Sequence, residues 1–276
     1  MNPLRFRAAM LALAIGCALG AVPVSAATPV ATPVTQPALE PVTDAYRQEF
    51  AADLSALPRY VLDLVLDDQS STLGGTLTLT YPNLTGERLT EVPLRIYPNA
   101  DYYAEGKTTI ASIDIEGQAV APRFDDSETV LYLDLPTPLE PEETLTATIE
   151  FSTVVPRNAD GSFGILNHDV GGKRFVLADW YPVVAGRDET GWRLEPPTEQ
   201  GDPTFSATSV FDVRLRVPQG YTVVSTGTET VLDDATIQLD SGPAREFAMV
   251  IAENLTTLTK AVGDTEVAVH VAPEHL

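Results

Sequence analysis

Three histidines, His168, His270 and His275, bound the metal and nucleophile chemistry open to this chain of 276 residues. A zinc peptidase helix needs two histidines at i and i+4, so that both imidazoles share a face, with a Glu between them as general base. No H-E-x-x-H run occurs. His270-Val271-Ala272-Pro273-Glu274-His275 has the wrong spacing, and Pro273 would disrupt a helix carrying it, so a strand end followed by a turn is expected there. Serine chemistry finds no better footing. Asp240-Ser241-Gly242 is flanked by Leu239 and Pro243, and Gly161-Ser162-Phe163-Gly164 is one residue short of G-x-S-x-G with no strand-to-helix elbow around it. A triad would also need a histidine base from this small set.

Paired carboxylates can hydrolyse glycosidic bonds if held at a set separation. Asp67-Asp68, Asp125-Asp126, Asp188-Glu189 and Asp233-Asp234 are candidates, but adjacent acids at turns are expected in a chain with 39 acidic residues. Asn158 to Ser162 (N-A-D-G-S) lacks the alternating oxygens and distal Glu of a calcium loop. What remains is aromatic. Trp180 and Tyr181 follow Asp179 at the end of a strand, and Trp192 sits in the next loop. Such rings serve either as core or as the wall of a cleft or sugar-stacking platform, and both readings stay open.

The elements that would position these residues are strands. After Pro58, runs with apolar residues at alternate positions recur: Tyr60 to Leu66, Thr76 to Tyr81, Leu89 to Tyr97, Thr109 to Ile115, Thr129 to Leu135 and Leu145 to Phe151. They continue with Arg174 to Tyr181, Ser206 to Val217, Tyr221 to Ser225, Thr236 to Leu239, Arg245 to Ala252 and Glu266 to Val271. Turn residues such as Pro82-Asn83, Glu116-Gly117 and Asp233-Asp234 separate them, and Gly74-Gly75 leads into the second strand of an expected hairpin. Short strands with no long helix between them predict an all-β fold, a sandwich or stack of antiparallel sheets. The segments Pro156 to Lys173 and Val183 to Pro203 read as long loops, where binding often resides.

Upstream, Arg5 and Arg7, the apolar run Ala8 to Val22 and Val24-Ser25-Ala26 read as a secretory signal over 1–26, cleaved before Ala27. Ala14-Ile15-Gly16-Cys17 loosely resembles a lipobox, which would instead lipidate Cys17, the one cysteine, and tether a cell-surface lipoprotein. Either route predicts a secreted or extracytoplasmic protein. Residues 27–57 follow: a Pro/Thr/Ala tether to Pro41, then one short helix with Tyr46, Phe50, Leu54 and Leu57 at helical spacing. Loss of Arg5 and Arg7 deepens a formal charge that already stands at −22. A surface this acidic repels phosphate backbones, so nucleic acid is not an expected partner.

Taken in order, Y-V-L-D-L-V-L-D, G-G-T-L-T-L-T-Y, L-R-I-Y-P-N-A, A-D-W-Y-P, F-D-V-R-L-R-V-P-Q-G-Y-T-V-V-S-T-G and R-E-F-A-M-V resemble the amino-terminal β domain of the M1 family of zinc aminopeptidases. The resemblance runs from about Tyr60 to Ala261. It implies a saddle-shaped β domain over 58–262, packed against the zinc peptidase domain of the same parent chain and serving peptide substrates through it. It further implies that 263–276 opens a truncated peptidase domain, with zinc belonging to the missing part. The family's G-x-M-E-N loop, H-E-x-x-H and downstream Glu ligand are absent, so no catalytic residue carries over. Many members lend a Gln or Glu from this domain to the pocket for the substrate's α-amine. The corresponding stretch here, Phe175 to Tyr181, has neither, which leaves Asp179, Trp180 and Tyr181 as the expected edge of the substrate cleft. Two other readings remain: a stand-alone binding module for carbohydrate or protein using Trp180 and Trp192, and a glycosidase using two of the paired acids. Under the M1 reading, Thr265 to Leu276 is expected to be a strand without a partner, its apolar face exposed.

Overall fold

The computed structural model describes residues 54–103, 105–157, 166–198, 204–272 and 275, all within the unit Ala38–Leu276. The signal, Cys17, the tether and the calcium-loop and Gly161–Gly164 runs lie outside the described residues. So does most of the short helix expected up to Leu57, whose described part is one 3-10 turn at Leu54–Ala56.

The fold is all-β. In chain order the strands are β1 (Arg59–Asp67), β2 (Thr72–Pro82), β3 (Leu89–Arg95), β4 (Lys107–Ile115), β5 (Gln118–Val120), β6 (Arg123–Phe124) and β7 (Val130–Leu139). Next come β8 (Thr144–Val154), β9 (Leu166–Asp169), β10 (Arg174–Leu177), β11 (Val183–Val184), β12 (Arg187–Asp188) and β13 (Gly191–Trp192). The last are β14 (Val210–Arg216), β15 (Tyr221–Ser225), β16 (Thr228–Val231), β17 (Thr236–Asp240), β18 (Met249–Glu253), β19 (Thr256–Val262) and β20 (Thr265–Val271). They form an eight-stranded sheet in the order β16-β17-β14-β1-β2-β8-β4-β5 and two four-stranded sheets, β15-β18-β10-β9 and β11-β3-β7-β6. Two small ribbons, β12-β13 and β19-β20, complete the set.

The alternation in β1 sets the large sheet. Tyr60, Leu62, Leu64 and Leu66 are buried while Arg59, Val61, Asp63, Val65 and Asp67 face out. A one-residue slip would turn every leucine to solvent, so the apolar face fixes the register. On the outer face Arg59 pairs with Asp212 at 3.0 Å and Arg216 with Asp63 at 2.8 Å, bridging β1 to its parallel neighbour β14. These exposed pairs add at most about 1 kcal/mol each. The β1–β2 turn is made by Asp67, whose carboxylate accepts from the backbone N–H of Gln69 (2.9 Å) and Ser70 (3.2 Å). Gly74-Gly75, expected to lead into the second strand, lie inside β2, which begins at Thr72. Gly75 allows close approach of β1, since a Cβ there would come within 2.0 Å of the Asp63 carbonyl oxygen.

Several expectations are corrected by the pairing. The consecutive strands β14 and β15 do not pair; they belong to different sheets, and β15 joins β18 instead. The aromatic strand stops at Leu177, because Asp179 takes a left-handed backbone (φ 51°) that turns the chain inward. Within the expected loop Pro156 to Lys173 lies β9, antiparallel to β10, and within Val183 to Pro203 lie the three two-residue strands β11, β12 and β13. The strand over Thr265–Val271 does have a partner. All seven of its residues pair with β19, which carries too many threonines and too weak an apolar alternation to stand out in the sequence. The boundary drawn between 262 and 263 thus falls in the turn of one hairpin. Its apolar face is exposed as expected: Leu258 (52%), Val262, Val267 and Val269 (50%) remain open.

Candidate functional site

Asp179, Trp180 and Tyr181, the expected cleft edge, lie inside the protein, with relative exposures of 4%, 0% and 1%. The left-handed turn at Asp179 drives the two rings between sheets. The Trp180 ring meets Phe151 of β8 at 6.4 Å and Tyr181 edge-on at 4.8 Å. Tyr181 in turn meets Tyr60 of β1 at 5.8 Å and Phe211 of β14 at 5.9 Å, both near perpendicular. Phe211 closes the cluster by stacking on Tyr60 at 5.0 Å. Such offset and edge-to-face pairs add about 0.5–1.5 kcal/mol each beyond the area they bury.

The polar atoms of these rings are used as clamps. The Trp180 Nε1–H donates to the Phe247 carbonyl at 3.2 Å, and the Phe247 N–H donates to the Tyr181 hydroxyl oxygen at 3.2 Å. One tryptophan–tyrosine step thereby holds both backbone groups of the residue that leads toward β18. The Thr153 hydroxyl fixes the other side by donating to the Trp180 carbonyl at 2.8 Å. The Tyr60 hydroxyl likewise accepts from the Val184 N–H at 3.0 Å, tying β1 to β11. Burial pushes the Tyr60 and Tyr181 hydroxyls well above their ordinary pKa, so both stay neutral. What A-D-W-Y-P builds is a joint between sheets.

A second polar group, which no sequence motif marks, sits beside the β1–β2 turn. Ser71, in a left-handed backbone (φ 58°), brings its Oγ to 2.7 Å from His168 Nδ1 of β9. Arg157 Nε donates to the same Oγ at 2.6 Å, which leaves the hydroxyl hydrogen free for Nδ1. The imidazole stacks on Phe175 of β10, centroids 3.8 Å apart and nearly parallel. Burial, then the Arg157 charge, hold the His168 pKa below its ordinary value against the pull of Asp68 and Asp169. A neutral ring accepting from a serine has the makings of a nucleophile and base, but Ser71 (1% exposed) is sealed from any substrate. The arrangement fastens the turn to β9.

The paired acids behave as turn formers. Hydrogen bonds from Ser70 hold Asp67 below the usual carboxylate range, those from Thr190 do so for Asp188, and those of Ala235 and Thr236 for Asp233. Asp125 accepts from the Val130 N–H at 2.9 Å. A glycosidase acid needs the opposite shift. Glu229 on the outermost strand β16 is held up to about 6 by partial loss of water, but across the ladder it faces Leu239 rather than a second acid. Nor do the histidines assemble a zinc site. His168 is engaged as above, His270 Nδ1 lies 3.0 Å from the Thr257 hydroxyl, and among the described residues no three His, Cys, Asp or Glu side chains converge. Trp192 is half-buried, 6.4 Å from Tyr81 and beneath the Arg187 guanidinium at 5.7 Å.

No protein-family profile matches the chain, and no curated protein is detectably similar to it in sequence. Among solved structures it is similar to an M1 zinc metallopeptidase from Deinococcus radiodurans, at 18% identity and a TM-score of 0.49, over 77% of this chain and 46% of that one. It is also similar to yeast LTA4 hydrolase in complex with bestatin, at 13% identity and a TM-score of 0.49, over 82% of this chain and 33% of that one. The chain spans less than half the length of either.

Proposed function

We propose that this chain is the amino-terminal, non-catalytic β domain of a secreted M1-type zinc metallopeptidase. In this reading it partners a peptidase domain of the same parent chain, and that domain holds the zinc and removes amino-terminal residues from peptides. The observation that carries the reading is the order of the resembling segments. Y-V-L-D-L-V-L-D coincides with β1, G-G-T-L-T-L-T-Y with β2, R-F-V-L with β10, F-D-V-R-L-R with β14, Y-T-V-V-S with β15 and M-V with the start of β18. Most of the resembling segments therefore fall on strands of an all-β scaffold in the expected succession, while L-R-I-Y-P-N-A runs on from the end of β3 and A-D-W-Y-P follows β10. The β19–β20 ribbon adds support. A two-stranded hairpin is marginal in water by itself, and this one turns Leu258, Val262, Val267 and Val269 outward, as a sheet awaiting further protein would.

The test is to express this chain joined to the coding sequence that follows Leu276, beside the chain alone. The longer protein is expected to contain an H-E-x-x-H, bind zinc and cleave an aminoacyl-anilide, while the chain alone does neither. Stoichiometric zinc and turnover by the chain alone would overturn the reading, as would a following sequence without the motif. Amino-terminal sequencing of the exported protein tests the compartment: it is expected to begin at Ala27, with a lipidated Cys17 as the competing outcome.

A further inference from the structure

Arg95 is buried (3% exposed) at the end of β3, the strand hydrogen-bonded between β11 and β7. A guanidinium removed from water needs either a carboxylate or a full set of acceptors. Arg95 has little of either. Its Nη1 donates to the Arg193 carbonyl at a long 3.4 Å, and its carbon lies 5.3 Å from the centre of the Tyr97 ring. Its buried Nε has no hydrogen-bond partner among the described residues. Among the described residues no carboxylate forms an ion pair with it, whereas its neighbour Arg193 pairs with both Asp188 and Glu195.

The same guanidinium lines a cavity of about 320 Å3. Arg193 and Glu195 stand at its rim, and Tyr97, Pro196 and Phe205 give it apolar walls. Phe205, 45% exposed, leaves ring surface open at this cavity. A buried guanidinium with an unmet donor, lining a hollow of this size that has both polar and apolar walls, is the chemistry of a ligand site.

We propose that this cavity binds a small carboxylate with an apolar or aromatic body. The carboxylate takes the Arg95 fork, whose planar geometry matches two oxygens side by side, and the body lies against Tyr97, Pro196 and Phe205. Charge selects within the anions. The chain carries a formal −22 and Glu195 lines the cavity, so a dianionic phosphate is opposed more strongly than a monocarboxylate. The inference is independent of the proposed function, because it rests only on residues of this chain and no peptidase domain is required.

Titration of the full chain with 3-phenylpropionate by calorimetry tests it, with 3-phenylpropionamide, inorganic phosphate and a peptide ending in a free or amidated Phe as the other arms. Saturable binding of the acid is expected, at least about tenfold weaker for the amide and for phosphate, as loss of a charge-assisted bidentate pair dictates. Binding of the free-carboxyl peptide beside the acid would assign the site to peptide carboxyl termini. Binding of the free acid alone would assign it to small acids. Glu195→Gln is expected to strengthen binding by removing a negative charge at the rim, and Phe205→Ala to weaken it, neither change touching the core. Arg95→Gln is expected to abolish binding, and the two rim variants keep the test decisive if that protein fails to fold. No binding of the acid, equal binding of acid and amide, equal binding of phosphate, or affinities indifferent to both rim variants would overturn the proposal and leave Arg95 a structural residue held by Tyr97.

Discussion

Strand β1 and the ribbon β19–β20 are built from similar material yet meet opposite fates. Both gather apolar residues on one face, strongly in β1 and weakly in β19, and both pair along their whole length. In β1 the apolar positions vanish into the core, flanked by β2 and β14 and covered by Tyr181 and Phe211. In the ribbon the equivalent positions, Leu258, Val267 and Val269, stay about half open. Hydrogen-bond pairing alone thus makes a strand, but it does not make it stable; stability follows from what covers the apolar face. The contrast separates a covered apolar face from an open one.

Four changes would break or sharpen that contrast. The largest effect is expected from Trp180→Ala. It empties the joint between sheets and strands the Phe247 carbonyl, and the loss should reach about 3–5 kcal/mol in urea unfolding. Gly75→Ala comes next: with the Asp63 carbonyl 2.0 Å from the new Cβ, β1 and β2 must part, for about 1–3 kcal/mol by the same measurement. Third is acid sensitivity at His168. The folded ring has a pKa below 6.5 and the unfolded one does not, so its contribution is complete above 6.5 and is lost as pH falls through the folded value. Melting followed from pH 7.5 to 5 should show this fall, and His168→Gln should flatten it while lowering stability at pH 7.5. An equally steep fall in the variant would show that another group is responsible. The smallest change is Leu258→Ser, expected within about 0.5 kcal/mol in this chain because the site is open to water. A substantially larger loss in the longer protein would place cover over the ribbon, and the same small change there would count against it.

Much of this was readable beforehand, and the misses have causes. Strong alternation gave β1, β2, β8 and β14 within a few residues. Strand β19, T-T-L-T-K-A-V, hides because its outward positions are threonine and alanine and its apolar ones are few. Strands β14 and β15 follow one another in the chain yet pair in different sheets, β14 with β1 and β17 and β15 with β18, which local sequence does not encode. Trp180 and Tyr181 could be read as core or as cleft wall; a run of aromatics fixes their appetite for burial but not which side of a turn they enter, and the φ of Asp179 decided that. Arg95 gave no signal. An arginine between Leu94 and Ile96 looks like any outward residue of a strand, and only the covering by Tyr97 and Arg193 makes it a buried charge.

The sequence by itself determined the all-β class, the places of most strands, the turn-forming duty of the paired acids and the want of an H-E-x-x-H, because these follow from side-chain period, carboxylate chemistry and spacing along one chain. Tertiary structure alone decided that β1 lies parallel to β14, that the A-D-W-Y-P rings clamp Phe247, that His168 is neutral against Ser71, and that the buried Arg95 Nε is left without a hydrogen-bond partner beside a cavity. Each of these depends on which distant residues exclude water from a given group, and the environment that sets a group's charge and partners is made only when the sheets close on one another.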